Sequence, residues 1–184
     1  MQIEVVKVGS RQSPLARLQA DNAISRIDYP AEIITMLEVA DEDLSRPVHE
    51  MGGKGMFCTK LEKALINRQI HCAIHSAKDC ATIETPGTEL LGVVYRGDPR
   101  DCVIGDHSLH QLPAGSRIGT SAPRRIEAIR LIRPDCQVVE VRGNVNTRLN
   151  KLRDKQVDAL ILGQSVIDRM GLDVPHHTIS EEVI

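Results

Sequence analysis

Apolar and polar positions near the start of the chain alternate in a way that predicts a strand followed by a helix. The β-branched run at residues 3–8 predicts the strand, and Gly9-Ser10-Arg11-Gln12 predicts the turn that leaves it. Ser13 is a helix-capping residue, and Pro14 suits a first helical position. The apolar residues of the predicted helix recur at helical spacing: Leu15, Leu18, Ala23, Ile24 and Ile27.

A long polar segment separates the next predicted elements. An apolar run at 31–37 predicts a second strand, and residues 57–65 predict a helix. The segment 38–55 between them is highly charged and ends in Gly52-Gly53-Lys54-Gly55. A connection of this length is typical of a functional lid, so we expect a mobile loop with Lys54 at its hinge. Two further strands are predicted at 71–76 and 89–95.

The second half of the chain repeats the alternation of strands and helices. Arg96-Gly97-Asp98-Pro99-Arg100 interrupts the pattern and is interpreted as a crossover between domains. Strands are predicted at 101–104, 117–120, 137–141 and 158–162, and helices at 122–133, 144–153 and 165–170. This alternation predicts an α/β fold of two lobes, residues 1–96 and 97–184, with largely parallel sheets.

Composition narrows the class of protein. The formal net charge is −2, and the chain holds only two Tyr and one Phe, so neither a basic surface nor a stacking platform for nucleic acid is expected. No apolar stretch approaches the ~20 residues that span a bilayer. The five cysteines form no C-x-x-C pair, which favours a reducing, cytoplasmic location over disulfides or zinc.

The basic residues point to an anionic ligand. Sixteen of the 23 are Arg, the side chain that grips carboxylates and phosphates with two parallel hydrogen bonds. Ligands of open α/β sheets lie at the carboxyl ends of strands. The residues predicted at or near those ends are Arg11, Ser13, Lys78, Asp79, Ser121, Arg124, Arg125, Arg142, Arg148 and Arg169. Converging cations repel one another unless an anion lies between them.

Asp79 is a lone acid among these cations, in the run His75-Ser76-Ala77-Lys78-Asp79. It either holds a developing positive charge and moves a proton, or it forms a simple ion pair with Lys78 or an arginine. His71 and His75 lie on the same side of a predicted strand, but no third ligand is evident, so no metal site is predicted.

The order of several motifs resembles one known family. The motifs are Gly9-Ser10-Arg11-Gln12-Ser13-Pro14-Leu15-Ala16, Gly52-Gly53-Lys54-Gly55-Met56-Phe57, His75-Ser76-Ala77-Lys78-Asp79, Asp98-Pro99-Arg100-Asp101, Leu112-Pro113-Ala114-Gly115, Gly119-Thr120-Ser121 with Arg124-Arg125, and Arg142-Gly143-Asn144-Val145-Asn146-Thr147-Arg148-Leu149. Together they cover nearly the whole chain, and the last is the most specific. On these residues the sequence resembles the porphobilinogen deaminase (hydroxymethylbilane synthase) family.

The resemblance implies a fold and a reaction. The family joins four porphobilinogen molecules into a linear tetrapyrrole, with loss of ammonia at each step, in tetrapyrrole and heme biosynthesis. Its first two domains resemble type II periplasmic binding proteins, with the ligand cleft between them. By resemblance Asp79 is catalytic, and the residues that bind substrate or cofactor carboxylates are Arg11, Ser13, Lys78, Ser121, Arg124, Arg125, Arg142, Arg148 and Arg169.

The resemblance also sets expectations about cofactor and partners. Family members carry a dipyrromethane cofactor on a cysteine of a third domain, and we expect this chain to lack both that domain and that cysteine. The alternative is therefore a shortened or divergent member that binds polycarboxylated pyrroles without catalysis. Porphobilinogen is the expected partner of what we expect to be a monomer, with no nucleic acid or membrane involved.

Overall fold

The computed structural model describes residues 4–38 and 58–180. These residues form two compact units that divide between Tyr95 and Arg96. Each unit contains one sheet with helices packed on it, so the predicted α/β class is confirmed. The predicted mobile loop and its Lys54 lie outside the described residues, apart from Glu38.

The first unit is built on a small parallel sheet. Its elements in chain order are β1 (Val6–Arg11), α1 (Pro14–Ile24), β2 (Ala31–Met36), α2 (Thr59–Ile66) and β3 (Cys72–Ala73), followed by a 3-10 turn at Ala77–Asp79. Within the described residues the strand order is β2-β1-β3, and both pairings are parallel. All three strands therefore present their carboxyl ends at the same edge of the sheet.

Close packing of α2 on the sheet explains one glycine of the first motif. Leu61 of α2 is fully buried, and a Cβ on Gly9 would lie 2.8 Å from its Cδ2 atom. No side chain fits in so small a gap. The predicted turn at 9–12 is wrong in its bounds, because β1 continues through this glycine to Arg11 and pairs with β2 along its whole length.

Glu38 caps α2 and is buried. Its Oε2 accepts a hydrogen bond from the Lys60 N–H at 3.0 Å, and its Oε1 accepts one from the Leu61 N–H at 3.0 Å. A carboxylate here satisfies amides that have no partner within the helix and complements the helix dipole. The expectation that this residue belongs to an exposed polar loop was therefore wrong.

The second unit is built on a larger, mixed sheet. Its elements are β4 (Asp101–Ile104), β5 (Arg117–Gly119), α3 (Pro123–Ile132), β6 (Gln137–Val139), α4 (Val145–Arg153), β7 (Ala159–Gly163), α5 (Gln164–Met170) and β8 (His176–Thr178). The described strands follow the order β6-β5-β7-β4-β8. Strands β5, β6 and β7 are parallel, whereas β4 runs antiparallel to both of its neighbours.

Two apolar layers cover the faces of this sheet. Cys102 and Leu160 point into one layer, with Leu149 of α4, while Val103 and Ile161 point into the other. The alternation follows from the two-residue period of a strand. All of these residues are at most 3% exposed, so β4 and β7 are buried on both faces of the sheet.

Two predictions about strands were wrong. The sheet of the second unit is not largely parallel, and its edge strand β8 was not predicted. Residues 89–95 form no strand, because no described strand pairs with their backbone, and Leu91 and Val93 are 82% and 75% exposed. Arg26 holds the end of this segment instead, with NH1 donating to the Val94 carbonyl at 2.9 Å.

Candidate functional site

In the first unit the predicted catalytic acid pairs with an arginine. Arg11 ends β1, and Asp79 lies in the 3-10 turn that follows the neighbouring strand β3. Arg11 NH1 donates to Asp79 Oδ2 at 3.2 Å, and the two side chains are 17% and 19% exposed. The structure shows an ion pair between Asp79 and Arg11, and the catalytic role that the sequence also left open stays a prediction. The carboxylate remains accessible to a ligand.

Cys58 and His75 lie close to the backbone of Asp79. The Cys58 thiol donates to the Asp79 carbonyl at 3.0 Å, and its Sγ lies 3.7 Å from His75 Nδ1. Burial, with smaller effects from neighbouring groups, raises the pKa of Cys58 to about 12. Burial also lowers the pKa of His75, although nearby carboxylates oppose this effect. Both groups are therefore uncharged near pH 7, and Arg11 supplies the positive charge that Asp79 contacts.

The other two candidates of this unit have different surroundings. Ser13 caps α1, where its Oγ accepts a hydrogen bond from the Ala16 N–H at 3.3 Å. Lys78 is exposed and precedes Asp79 in the same turn. Gln19 of α1 donates to Ser76 Oγ at 3.0 Å, which ties the start of that turn to the helix. Helix α1 therefore helps to position the loop that bears the acid.

In the second unit the topology gathers candidates at one sheet edge. Ser121 and Arg142 follow the parallel strands β5 and β6, and Gly163 ends β7. Because β4 is antiparallel, its first residue, Asp101, pairs with Gly163 and lies at that same edge. An acid from the beginning of one strand thus lies among residues from the ends of three others.

Asp101 binds both arginines of the Arg124-Arg125 pair. Arg125 donates to it twice, from Nε to Oδ2 at 3.0 Å and from NH2 to Oδ1 at 2.7 Å, and donates from NH1 to the Ile161 carbonyl at 3.3 Å. Arg124 NH2 reaches Asp101 Oδ2 at 2.8 Å. Asp101 was not predicted as a site residue. Its signal was the Asp98-Pro99-Arg100-Asp101 motif, which supported the family resemblance but was given no role in the site.

Three arginines interact at this edge. Burial lowers the pKa of Arg148, and the positive charges of Arg125 and Arg142 lower it further. Arg148 donates from Nε to the Gly143 carbonyl at 2.9 Å, and no carboxylate pairs with it among the described residues. A half-buried guanidinium at an edge that holds two other arginines is suited to bind an anion.

Ser121 and Arg169 are the remaining candidates of the second unit, beside the group of Arg125, Arg142 and Arg148. Ser121 is half-buried at the end of β5. Arg169 lies in the last turn of α5, about 8 Å along the helix axis from the residue that follows β7. In the described ranges, 4–38 and 58–180, no group of three His, Cys, Asp or Glu side chains is arranged to hold a metal ion. No helix among those residues is long and apolar enough to cross a membrane.

Solved structures identify the class of fold. An ancestral cationic amino acid solute-binding protein covers 95% of this chain and 76% of its own, with a TM-score of 0.53 at 10% identity. At that identity the likeness defines the fold alone, which is of the type II periplasmic binding protein kind, as predicted.

The family model of the porphobilinogen deaminase dipyrromethane cofactor-binding domain matches residues 6–184, and the chain belongs to this family. A probable porphobilinogen deaminase of Picrophilus torridus is 35% identical over 178 residues, which are 95% of this chain and 63% of that protein. The porphobilinogen deaminase of Geobacter metallireducens is 40% identical over 172 residues, which are 90% of this chain and 54% of that protein. The chain thus spans less than two thirds of these relatives.

Proposed function

We propose that this chain acts as a porphobilinogen deaminase, a transferase of tetrapyrrole and heme biosynthesis that condenses four porphobilinogen units with loss of ammonia. The observation that carries the proposal is the placement of Arg142 and Arg148 after β6, at the sheet edge where Asp101 holds Arg125. Family membership over residues 6–184 says which anion this group is suited to.

The substrate has the chemistry that these arginines recognise. Porphobilinogen carries an acetate and a propionate, so every unit added brings two carboxylates. A charge-assisted hydrogen bond to such a carboxylate contributes about 1.5–3 kcal/mol. We assign this binding to Arg124, Arg142 and Arg148 in the second unit and to Arg11 and Lys78 in the first.

Asp79 is assigned the catalytic role. Its carboxylate contacts Arg11 and is partly exposed, so a ligand can reach it. The ionised carboxylate accepts a hydrogen bond from a pyrrole N–H and stabilises the positive charge that develops on the ring as ammonia leaves. Preorganised electrostatics of this kind commonly makes the greatest contribution to catalysis.

The donor set also suits the cofactor that the family description names. A dipyrromethane has four carboxylate arms, and the side chains assigned to hold them are Ser121, Arg124, Arg142, Arg148 and Arg169. When bound, the cofactor supplies the ring carbon to which the first porphobilinogen is joined. Ser121, half-buried after the end of β5, adds a hydroxyl donor.

The proposal includes a cytoplasmic monomer whose partner is porphobilinogen and that needs neither nucleic acid nor a membrane. All five cysteines are free thiols, which supports a reducing compartment.

The test separates binding from turnover. Calorimetry with porphobilinogen at low salt should give a Kd that Arg148→Ala weakens about tenfold or more, as expected for a lost charge-assisted bond. Asp79→Asn should leave the Kd within about threefold but slow ammonia release at least ~100-fold. Asp158→Asn, which alters a surface pair with Arg117, is the matched control and should change neither quantity. Absence of porphobilinogen binding, or full turnover by Asp79→Asn, would contradict the proposal.

A further inference from the structure

The two arginines that share Asp101 are held very differently. The Arg125 guanidinium uses Nε, NH1 and NH2 in three hydrogen bonds to protein atoms, and its side chain is 9% exposed. Arg124 reaches Asp101 through NH2 alone, and its side chain is 60% exposed. Arg125 is therefore fixed in place, whereas Arg124 can leave Asp101 at little steric cost.

The two arginines share one carboxylate oxygen. Asp101 Oδ2 accepts from Arg125 Nε at 3.0 Å and from Arg124 NH2 at 2.8 Å. One carboxylate thus faces two guanidiniums, and a positive charge is left over. A second carboxylate, brought by a ligand, would complete the neutralisation by taking Arg124 while Asp101 keeps Arg125.

The position of Asp101 in the sheet places Arg124 and Arg125 at the edge that carries the candidate site. Asp101 begins β4 opposite Gly163, and its side chain is 3% exposed, so the sheet holds the carboxylate rigidly. Arg125 acts electrostatically on Arg148 from this position. Fixing Arg125 therefore also fixes one source of the positive potential that a ligand meets.

We propose that Asp101 is a positioning residue, which anchors Arg125 permanently and holds Arg124 only until a ligand carboxylate replaces it. The ligand class rests on the function proposed above, whereas the asymmetry between the two arginines does not. The inference makes Arg124 the member of the pair that contacts the ligand and Arg125 the member that supports the site. Arg124 and Arg125, which the sequence predicted to share one role, thus have different roles.

The first test follows the two guanidiniums directly. In ¹⁵N spectra of the arginine Nε–H groups, we expect a slowly exchanging Arg125 signal in the free protein that disappears in Asp101→Asn. Added porphobilinogen should shift the Arg124 signal and leave the Arg125 signal in place. Movement of Arg125 with an unchanged Arg124 would overturn the inference.

The second test measures binding and stability together. Arg124→Gln should weaken porphobilinogen binding about tenfold with a Tm close to wild type, whereas Arg125→Gln should lower the Tm clearly. Asp101→Asn should raise KM or Kd more than it lowers kcat, with partial rescue by Asp101→Glu, and Asp158→Asn is again the control. Equal Tm losses for Arg124→Gln and Arg125→Gln would overturn the inference. This comparison uses neither substrate nor the Asp101→Asn variant, so it can be made even if Asp101→Asn does not fold.

The two proposals fail in different ways. If porphobilinogen does not bind while the Arg125 signal depends on Asp101 and the two Tm values differ, the proposed function is wrong and the anchoring role of Asp101 is supported. If porphobilinogen binds with the same Kd to wild type and to Arg124→Gln, the proposed function stands and the inference about the pair is wrong.

Discussion

Each unit places an arginine–aspartate pair at the carboxyl edge of its sheet, and in both the aspartate is followed by a cysteine. Asp79 in the first unit meets Arg11 through one contact of 3.2 Å, and its side chain is 19% exposed. Asp101 in the second unit meets two arginines at 2.7 and 2.8 Å and is 3% exposed. The same two residue types thus form an accessible pair with a longer contact in the first unit and a buried pair with shorter contacts in the second.

The difference shows what each carboxylate is able to do. Asp101 is buried and already accepts two hydrogen bonds from Arg125 and a contact from Arg124, which suits it to hold other groups in place. Asp79 contacts Arg11 through Oδ2 and is partly exposed, which leaves lone pairs for a ligand and suits it to chemistry. The backbone that carries each acid differs as well: Asp101 begins a fully buried strand, whereas Asp79 lies in a short turn.

The largest expected effect is on stability. Asp101→Ala leaves the buried Arg125 without its carboxylate and should lower the free energy of unfolding by about 3–5 kcal/mol, as for other broken buried pairs. Asp79→Ala should lower it by about 1 kcal/mol or less, because its partner Arg11 keeps some access to water. Urea unfolding followed by circular dichroism measures both values.

The matched comparison for this stability test is Asp158→Ala, which removes a surface carboxylate from Arg117. Its effect should also stay below about 1 kcal/mol. Equal losses for the Asp79 and Asp101 variants would show that burial does not distinguish the two pairs.

The sequence predicted the periodic parts of this molecule well. The alternation of strands and helices and the cap at Ser13 follow from local patterns. Asp101 was missed because only the carboxyl ends of strands were searched, and the direction of β4 is set by pairing with a strand about 60 residues away. Local sequence does not encode that direction.

Burial set by distant residues explains two other errors. Glu38 looked like a loop residue because its partners, the amides of Lys60 and Leu61, lie across the segment 39–57. Residues 89–95 have the composition of a strand, but strand formation requires a neighbour that a local pattern cannot supply. Whether the side chains at the two edges act as assigned stays a prediction.

A smaller effect is expected on the pH dependence of stability, and it should separate the two units. Burial lowers the pKa of His75 in the first unit from 6.5, so the unfolded state binds a proton more readily. This contribution to stability is complete above pH 6.5 and is lost as the pH falls towards the folded pKa. In the second unit the hydrogen bonds from Arg100, Arg133 and Arg117 lower the pKa values of Asp98, Asp135 and Asp158 from 3.8.

For these aspartates the stabilisation is present above pH 3.8 and is lost as the pH falls through the folded values. The first unit should therefore begin to lose stability at a higher pH than the second. Amide hydrogen exchange, measured from pH 7 to pH 4, reports each unit separately. His75→Asn should flatten the dependence just below pH 6.5 in the first unit only, and an unchanged slope would contradict this assignment.

The smallest effect on the fold is expected from modifying the two cysteines that follow the aspartates. Cys80 is exposed beside Asp79, whereas Cys102 beside Asp101 is fully buried, and its burial raises its pKa to about 12. Iodoacetamide should therefore modify Cys80 at least ~10-fold faster than Cys102 in the native protein, because alkylation needs both access and the thiolate. Mass spectrometry of peptides measures the two rates, and urea should remove the difference.

The label at Cys80 also tests how close Asp79 lies to the ligand. The added group is uncharged and sits on an exposed turn, so the unfolding free energy should not change measurably, while porphobilinogen binding should weaken several-fold by steric obstruction. Cys80→Ser should bind normally and become insensitive to the reagent, because Cys58 is buried and its thiol is protonated near pH 7. Unimpaired binding by protein labelled at Cys80 would place the ligand away from Asp79. The exposure of the Arg11–Asp79 pair would then have no role in ligand binding.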